Sequence, residues 1–228
     1  MTIATSANMK FAMKEIINSF EEDTGIKCEM IVGSSGKLTA QIKEHAPFDV
    51  FVSANTLYPE ELYRLGYSDE KVIEYAYGKL ILLSVKKNLI PDLNNLNREE
   101  IRHIALGNPK TAPYGTAAME VLKNKKLFSE LKDKFVYGES VSQVNQFILS
   151  GVAETGFTAK SVIMTPGIKE KAHWTEIDDE LYDPIAQGLI VLNNRKDHLE
   201  EAKKFRDFLI SAKAGKILNT FGYSVNKS

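Results

Sequence analysis

The sequence predicts an α/β fold built on mostly parallel sheets flanked by helices, and three observations predict it. Short apolar runs of strand length alternate with segments whose apolar residues recur at helical spacing, the pattern of βαβ units. The joints between them are rich in Gly, Ser and Asn, which turn the chain sharply. The joint at Ile31 to His45, Ile-Val-Gly-Ser-Ser-Gly-Lys-Leu-Thr-Ala-Gln-Ile-Lys-Glu-His, runs from a β-prone segment through a tight turn into a helix with Leu38 and Ile42 on one face. The first NH groups of such a helix have no partner inside it and carry the positive end of its dipole. That end suits an anion, and in an α/β sheet the ligand site lies beyond the carboxyl ends of the strands.

In order, Thr2 to Thr5 reads as a buried strand, followed by Ser6-Ala7-Asn8 and a helix with Met9, Ala12, Met13, Ile16, Ile17 and Phe20 on its apolar face. Thr24-Gly25 closes that helix, and a strand around Lys27 to Val32 leads to the Gly33 turn. Asp49 to Ser53 is a short parallel-type strand, Ala54-Asn55 ends it, and a helix follows from about Pro59 to Leu65. Gly78 to Val85 is a further strand, and Pro91, Asn94, Asn95 and Asn97 mark a break. The strand, turn and helix series then recurs, at His103 to Leu106 with Gly107 to Gly115, and at Phe135 to Tyr137 with Gly138 to Ser140 and the helix opening at Val141. Strands at Glu154 to Ala159, Trp174 to Ile177 and Leu181 to Leu192, and helices at Glu200 to Ile210 and around Gly215 to Phe221, complete the chain.

Two explanations of the serine turn stand side by side. Ser34 or Ser35 serves as an ordinary helix cap, or their hydroxyls add donors for a ligand; Asn8 likewise is a cap or an amide aimed at one. A nucleotide phosphate loop is excluded, because G-x-x-x-x-G-K-[ST] needs four residues between its glycines and Gly33 and Gly36 enclose two. An esterase elbow would need glycine where Lys37 stands.

The chain has 228 residues, 43% of them hydrophobic and 26% charged, with a formal net charge of -1, which describes an ordinary globular protein with no nucleic-acid surface. Cys28 is the single cysteine, so no internal disulfide or thiolate metal cluster forms. No apolar run reaches membrane-spanning length, and the first strand begins almost at Met1, so either the protein is cytoplasmic or its leader has been removed.

Ala-Thr-Ser-Ala-Asn8, Gly-Ser-Ser-Gly36, Ala-Pro-Phe-Asp-Val-Phe-Val-Ser-Ala54, Gly-Asn-Pro-x-x-Ala-Pro-Tyr-Gly115 and Glu-Ser-Val-Ser-Gln143 together resemble the periplasmic molybdate-binding proteins of ABC importers, in the branch with asparagine in the first loop and tyrosine in the third. The resemblance implies a two-lobed type II periplasmic binding protein fold with the anion in the interlobe cleft. Residues 1-82 plus 188-228 would form lobe one and 83-187 lobe two, and binding would close the lobes about a hinge. It implies ligand positions at Ala7, Asn8 and Ser35 in lobe one and at Tyr114 and Val141, through its NH, in lobe two. The commoner branch has serine at position 8 and tyrosine where Ala159 stands here. The resemblance further implies molybdate or tungstate as ligand, held as an oxyanion with no side chain bound directly to the metal, no other cofactor, a membrane permease as partner, and a monomer in the periplasm or at the cell surface.

Molybdate is a tetrahedral dianion without a proton at neutral pH, so a matching site offers donors and no acceptor. Phosphate brings a proton that such a site leaves unpaired, at about 1 to 3 kcal/mol. Glu139, the nearest acid to these positions, is expected to turn away. Sulfate is the harder rival, differing mainly in size. An enzyme is a rival of another class, but His45, His103, His173 and His198 lack metal-ligand spacing and no Ser, His and Asp set suggests itself. The sensor domain of a transcription regulator would normally carry a helix-turn-helix. A carboxylate binder would call for an Arg clamp, and Arg64, Arg98, Arg102, Arg195 and Arg206 lie away from the turns.

Overall fold

The computed structural model describes residues 1–165, 167–193 and 195–225. The chain forms two compact units, Met1–Gly78 with Ala186–Ser228, and Lys79–Ile185.

Unit 1 opens with β1 (Thr2–Ser6), whose end runs through a 3-10 turn at Ala7–Met9 into α1 (Lys10–Thr24). Helix α1 stops at Gly25, whose φ of 72° is the left-handed geometry that glycine adopts without penalty. There follow β2 (Glu29–Gly33), α2 (Ser35–Lys43), β3 (Val50–Ser53), α3 (Leu57–Arg64) and β4 (Ile73–Gly78). The chain crosses to unit 2 through β5 (Leu80–Ser84), β6 (Ile104–Gly107), α4 (Pro113–Asn124), the short α5 (Phe128–Leu131), β7 (Phe135–Gly138), α6 (Val141–Leu149), β8 (Thr155–Ala159) and β9 (His173–Glu176). It returns along β10 (Ile185–Val191) to α7 (Leu199–Leu209) and α8 (Ala212–Thr220).

Each unit carries one sheet, in the orders β2-β1-β3-β10-β4 and β7-β6-β8-β5-β9. One half of each sheet is parallel, β1 with β2 and β3, and β6 with β7 and β8. The other half contains antiparallel pairs: β10 runs against β3, and β5 against β8 and β9. Parallel pairing follows where a helix carries the chain back over the sheet, and the strands leading into and out of unit 2 have no such crossover. Strand β5 pairs along its whole length within the second sheet, so the chain divides at 78/79 ahead of that strand, whereas division after 82 would cut it. The return falls at 185/186, which leaves Gln187 with unit 1, against the 188 read from the sequence. Strand β4 is an element the sequence reading passed over. It lies at the edge of its sheet, and its Ile-Glu-Tyr-Ala-Tyr-Gly sequence lacks a continuous apolar run.

In unit 1, Ala4, Phe51 and Ile190 of the sheet pack on Leu38 and Ile42 of α2 and Leu62 of α3. On α1, Phe20 meets Phe205 edge-on at 5.2 Å and Phe208 at 5.5 Å, which seats α1 on α7. In unit 2, a Cβ on Gly156 of β8 would lie 2.5 Å from the Ala105 carbonyl oxygen and 2.9 Å from Ile148, so glycine permits this closeness of β8, β6 and α6.

Candidate functional site

Register in the parallel halves aligns the turns. Ser6 is opposite Gly33 at the ends of β1 and β2, so the Ala7 turn and the start of α2 lie beside one another. Gly107 is opposite Gly138, which does the same for the starts of α4 and α6.

In unit 1, Ser35 is the first residue of α2 and fully buried. Its Oγ accepts the Ala54 NH at 3.0 Å, which joins the α2 start to the turn after β3 and leaves the hydroxyl's own proton uncommitted to that bond. Ser34 holds the cap position by backbone geometry, with φ -75° and ψ 151°, but its side chain makes no capping bond. Its Oγ is buried without a hydrogen-bond partner among the described residues. The capping explanation therefore fails for Ser34, and the Ser35 hydroxyl bonds to a different strand end.

Asn8 is buried, and its side chain works inside unit 1. Its Nδ2 donates to Gln187 Oε1 at 2.8 Å and to Tyr223 Oη at 2.9 Å, and its Oδ1 accepts from Ser6 Oγ at 2.7 Å. Tyr223 Oη donates in turn to the Asn8 carbonyl at 2.9 Å. The amide expected to face a ligand thus donates to Gln187 and Tyr223 within its own unit. Gln187 and Tyr223 are functional candidates that local sequence reasoning missed, because nothing within a few residues of either signals a site.

In unit 2, the Asn108 NH donates to the Gly138 carbonyl at 2.7 Å, and the Asn108 carbonyl accepts from Thr111 and Ala112. The loop after β6 is thereby fixed to the end of β7. Pro113 opens α4, where its missing NH costs nothing, and the next residue, Tyr114, is 2% exposed. A Cβ on Gly115 would fall 2.1 Å from the Gly107 carbonyl oxygen, so only glycine lets α4 start this close to β6. Thr111 Oγ1 in the same loop is buried with no partner among the described residues, another hydroxyl the sequence reading did not single out.

Helix α6 has a reciprocal cap: Ser140 Oγ accepts the Gln143 NH, and Gln143 Oε1 accepts the Glu139 NH at 2.7 Å. The first main-chain bond into the helix runs from Gln143 and Val144 to the Ser140 carbonyl, so the Val141 and Ser142 NH groups precede the helical ladder. Val141 is buried, and Glu139 is exposed. Ala159 is fully buried at the end of β8. Of the arginines, Arg195 is held by Asp49 and Asp197, and Arg206 by Glu70 and Asp207. Among the described residues no helix is long and apolar enough to cross a membrane.

Residues 1–224 match the model of the bacterial extracellular solute-binding protein family, and the chain belongs to that family. Within it, the chain is 36% identical over 225 residues to the molybdate-binding protein ModA of Azotobacter vinelandii, covering 98% of this chain and 89% of that protein. It is 34% identical to ModA of Rhodobacter capsulatus, covering 96% and 86%. Among solved structures, the Azotobacter vinelandii periplasmic molybdate-binding protein superposes with a TM-score of 0.93 at 30% identity over the full length of both chains.

Proposed function

We propose that this protein is an extracytoplasmic binding protein that captures molybdate, accepts tungstate as well, and delivers the anion to the membrane permease of an ABC importer. It works as a monomer, without a cofactor, catalysis or nucleic acid. The observation that carries this reading is 36% identity across 98% of the chain to a molybdate-binding protein.

The chemistry of the turns supports it. Main-chain NH groups at Ala7, Asn8 and Val141, the Ser35 hydroxyl and the Tyr114 phenol are the donors we assign to the oxyanion, and Ser34 and Thr111 bring further buried hydroxyls into the same turns. Hydrogen bonds to a charged group contribute about 1.5 to 3 kcal/mol each, so a handful outweighs an association cost that starts at about 4 kcal/mol. Helix starts add to this without any cationic side chain.

Calorimetric titration with molybdate, tungstate, sulfate and phosphate tests the reading. Molybdate and tungstate are expected to bind with similar affinity, and phosphate at least about tenfold more weakly because its proton finds no acceptor. Tightest binding of sulfate would transfer the assignment to that anion, and no binding of any oxyanion would overturn it.

A further inference from the structure

Gln187 is fully buried on β10. Its Nε2 donates to the Ala54 carbonyl at 3.3 Å, and its Oε1 accepts from Asn8 Nδ2. The directions of these bonds follow from the chemistry of Ala54. A carbonyl only accepts, so Gln187 must turn its nitrogen to Ala54 and its oxygen to Asn8. Asn8 must then present nitrogen to Gln187, which sets its oxygen toward Ser6 and draws the Ser6 proton to it. On the other side, the Ala54 NH donates to Ser35 Oγ and occupies an acceptor site of that hydroxyl. The ends of β1, β3 and β10 and the start of α2 are thus connected by one directed set of hydrogen bonds, with Ala54 gripped from both sides. Such buried chains polarise each member in the same sense.

We propose that Gln187 is a positioning residue for oxyanion binding: by holding Ala54 and Asn8 it fixes the Ser35 hydroxyl as a donor to the ligand. The inference rests on the molybdate reading above. It identifies a residue that does not itself touch the anion yet sets the affinity of one that does.

A double-mutant cycle on the full chain tests it, with molybdate affinity read by calorimetry for Gln187→Met, Ser35→Ala and the pair. Gln187→Met keeps the length of the side chain and removes both hydrogen-bonding atoms. The expected result is a loss of about tenfold for each single variant and a double variant within about twofold of Ser35→Ala alone, since the two act through one hydroxyl. Hydrogen exchange on the ligand-free protein is expected to show the Ala54 amide at least about tenfold faster in Gln187→Met. Losses that multiply in the double variant, or wild-type affinity in Gln187→Met, would overturn the inference. Should Gln187→Met not fold, Gln187→Asn, which stays uncharged and is one methylene too short to hold both Ala54 and Asn8, carries the same cycle to the same decision. If Ser35→Ala itself leaves molybdate affinity unchanged, the fault lies in the assignment of the site; if only the Gln187 variants do so, it lies in this inference.

Discussion

Ser34 and Ser35 are neighbours in the chain with separate consequences for mutation. Ser35 Oγ accepts from Ala54 without using its own proton, and Ser35→Ala, which removes that donor, is expected to weaken molybdate binding about tenfold or more. Replacing a working serine cap by alanine costs about 1 kcal/mol. Ser34 makes no such bond, so Ser34→Ala is expected to leave the urea midpoint nearly unchanged while affinity falls about threefold or more. A lowered midpoint with unchanged affinity would return Ser34 to a capping role. Away from these turns, Glu154 shows how a buried charge is made tolerable. Burial pushes its carboxyl pKa up, but donation from the His103 NH, the Lys86 ammonium and the Arg102 NH outweighs this and holds it below the ordinary carboxylate value. A folded-state pKa below the unfolded one contributes stability that is present above the unfolded value and is lost as pH falls through the folded value. Melting temperature should therefore drop on acidification through and below the ordinary carboxylate range. Glu154→Gln, which loses the charged acceptor at a cost of about 1.5 to 3 kcal/mol near neutral pH, should flatten that drop. Cys28 is the opposite case: burial pushes its thiol up to about 12, so it should resist alkylation at pH 8 until the protein unfolds.

Helices α2, α4 and α6 begin within a few residues of a strand end, and glycine, proline and serine set how closely each start approaches its sheet. At α4 the tolerance is smallest. Gly115→Ala would drive a methyl into the Gly107 carbonyl, where both parties are main chain and neither can yield cheaply. The expected cost is about 1 to 3 kcal/mol or more in denaturant unfolding, with molybdate affinity reduced because Tyr114 is displaced with the helix start. A variant as stable as the parent would mean that α4 can retreat without loss. Starts of this kind are readable in sequence because caps, glycines and helical spacing all lie within one turn of each other, as Ser140 and Gln143 at α6 do. Strand β4 was not readable for the complementary reason. Its place at the edge of the sheet is set by β10, more than a hundred residues further along, and by a bridge between Tyr77 and Ser224.

For the whole molecule, a ligand that binds only the folded state stabilises it by mass action. Free molybdate at about 100 times its dissociation constant should add roughly 2.7 kcal/mol, seen as a rise in melting temperature. Under the proposed function, Ser35→Ala in unit 1 and Tyr114→Phe in unit 2 should each shrink that rise. A rise undiminished by either would remove that unit from the site. The sequence by itself determined the alternation of strand, turn and helix, and with it the places where uncharged donors gather, because these follow from spacings of a few residues and from the steric demands of glycine and proline. Which of those donors is engaged inside the protein was decided only by the tertiary structure. Asn8 meets partners 179 and 215 positions away, and Ser35 is held by a residue from another strand end. A donor group has only one or two protons to give, and whether they are taken up inside the protein depends on which distant atoms the fold brings within reach.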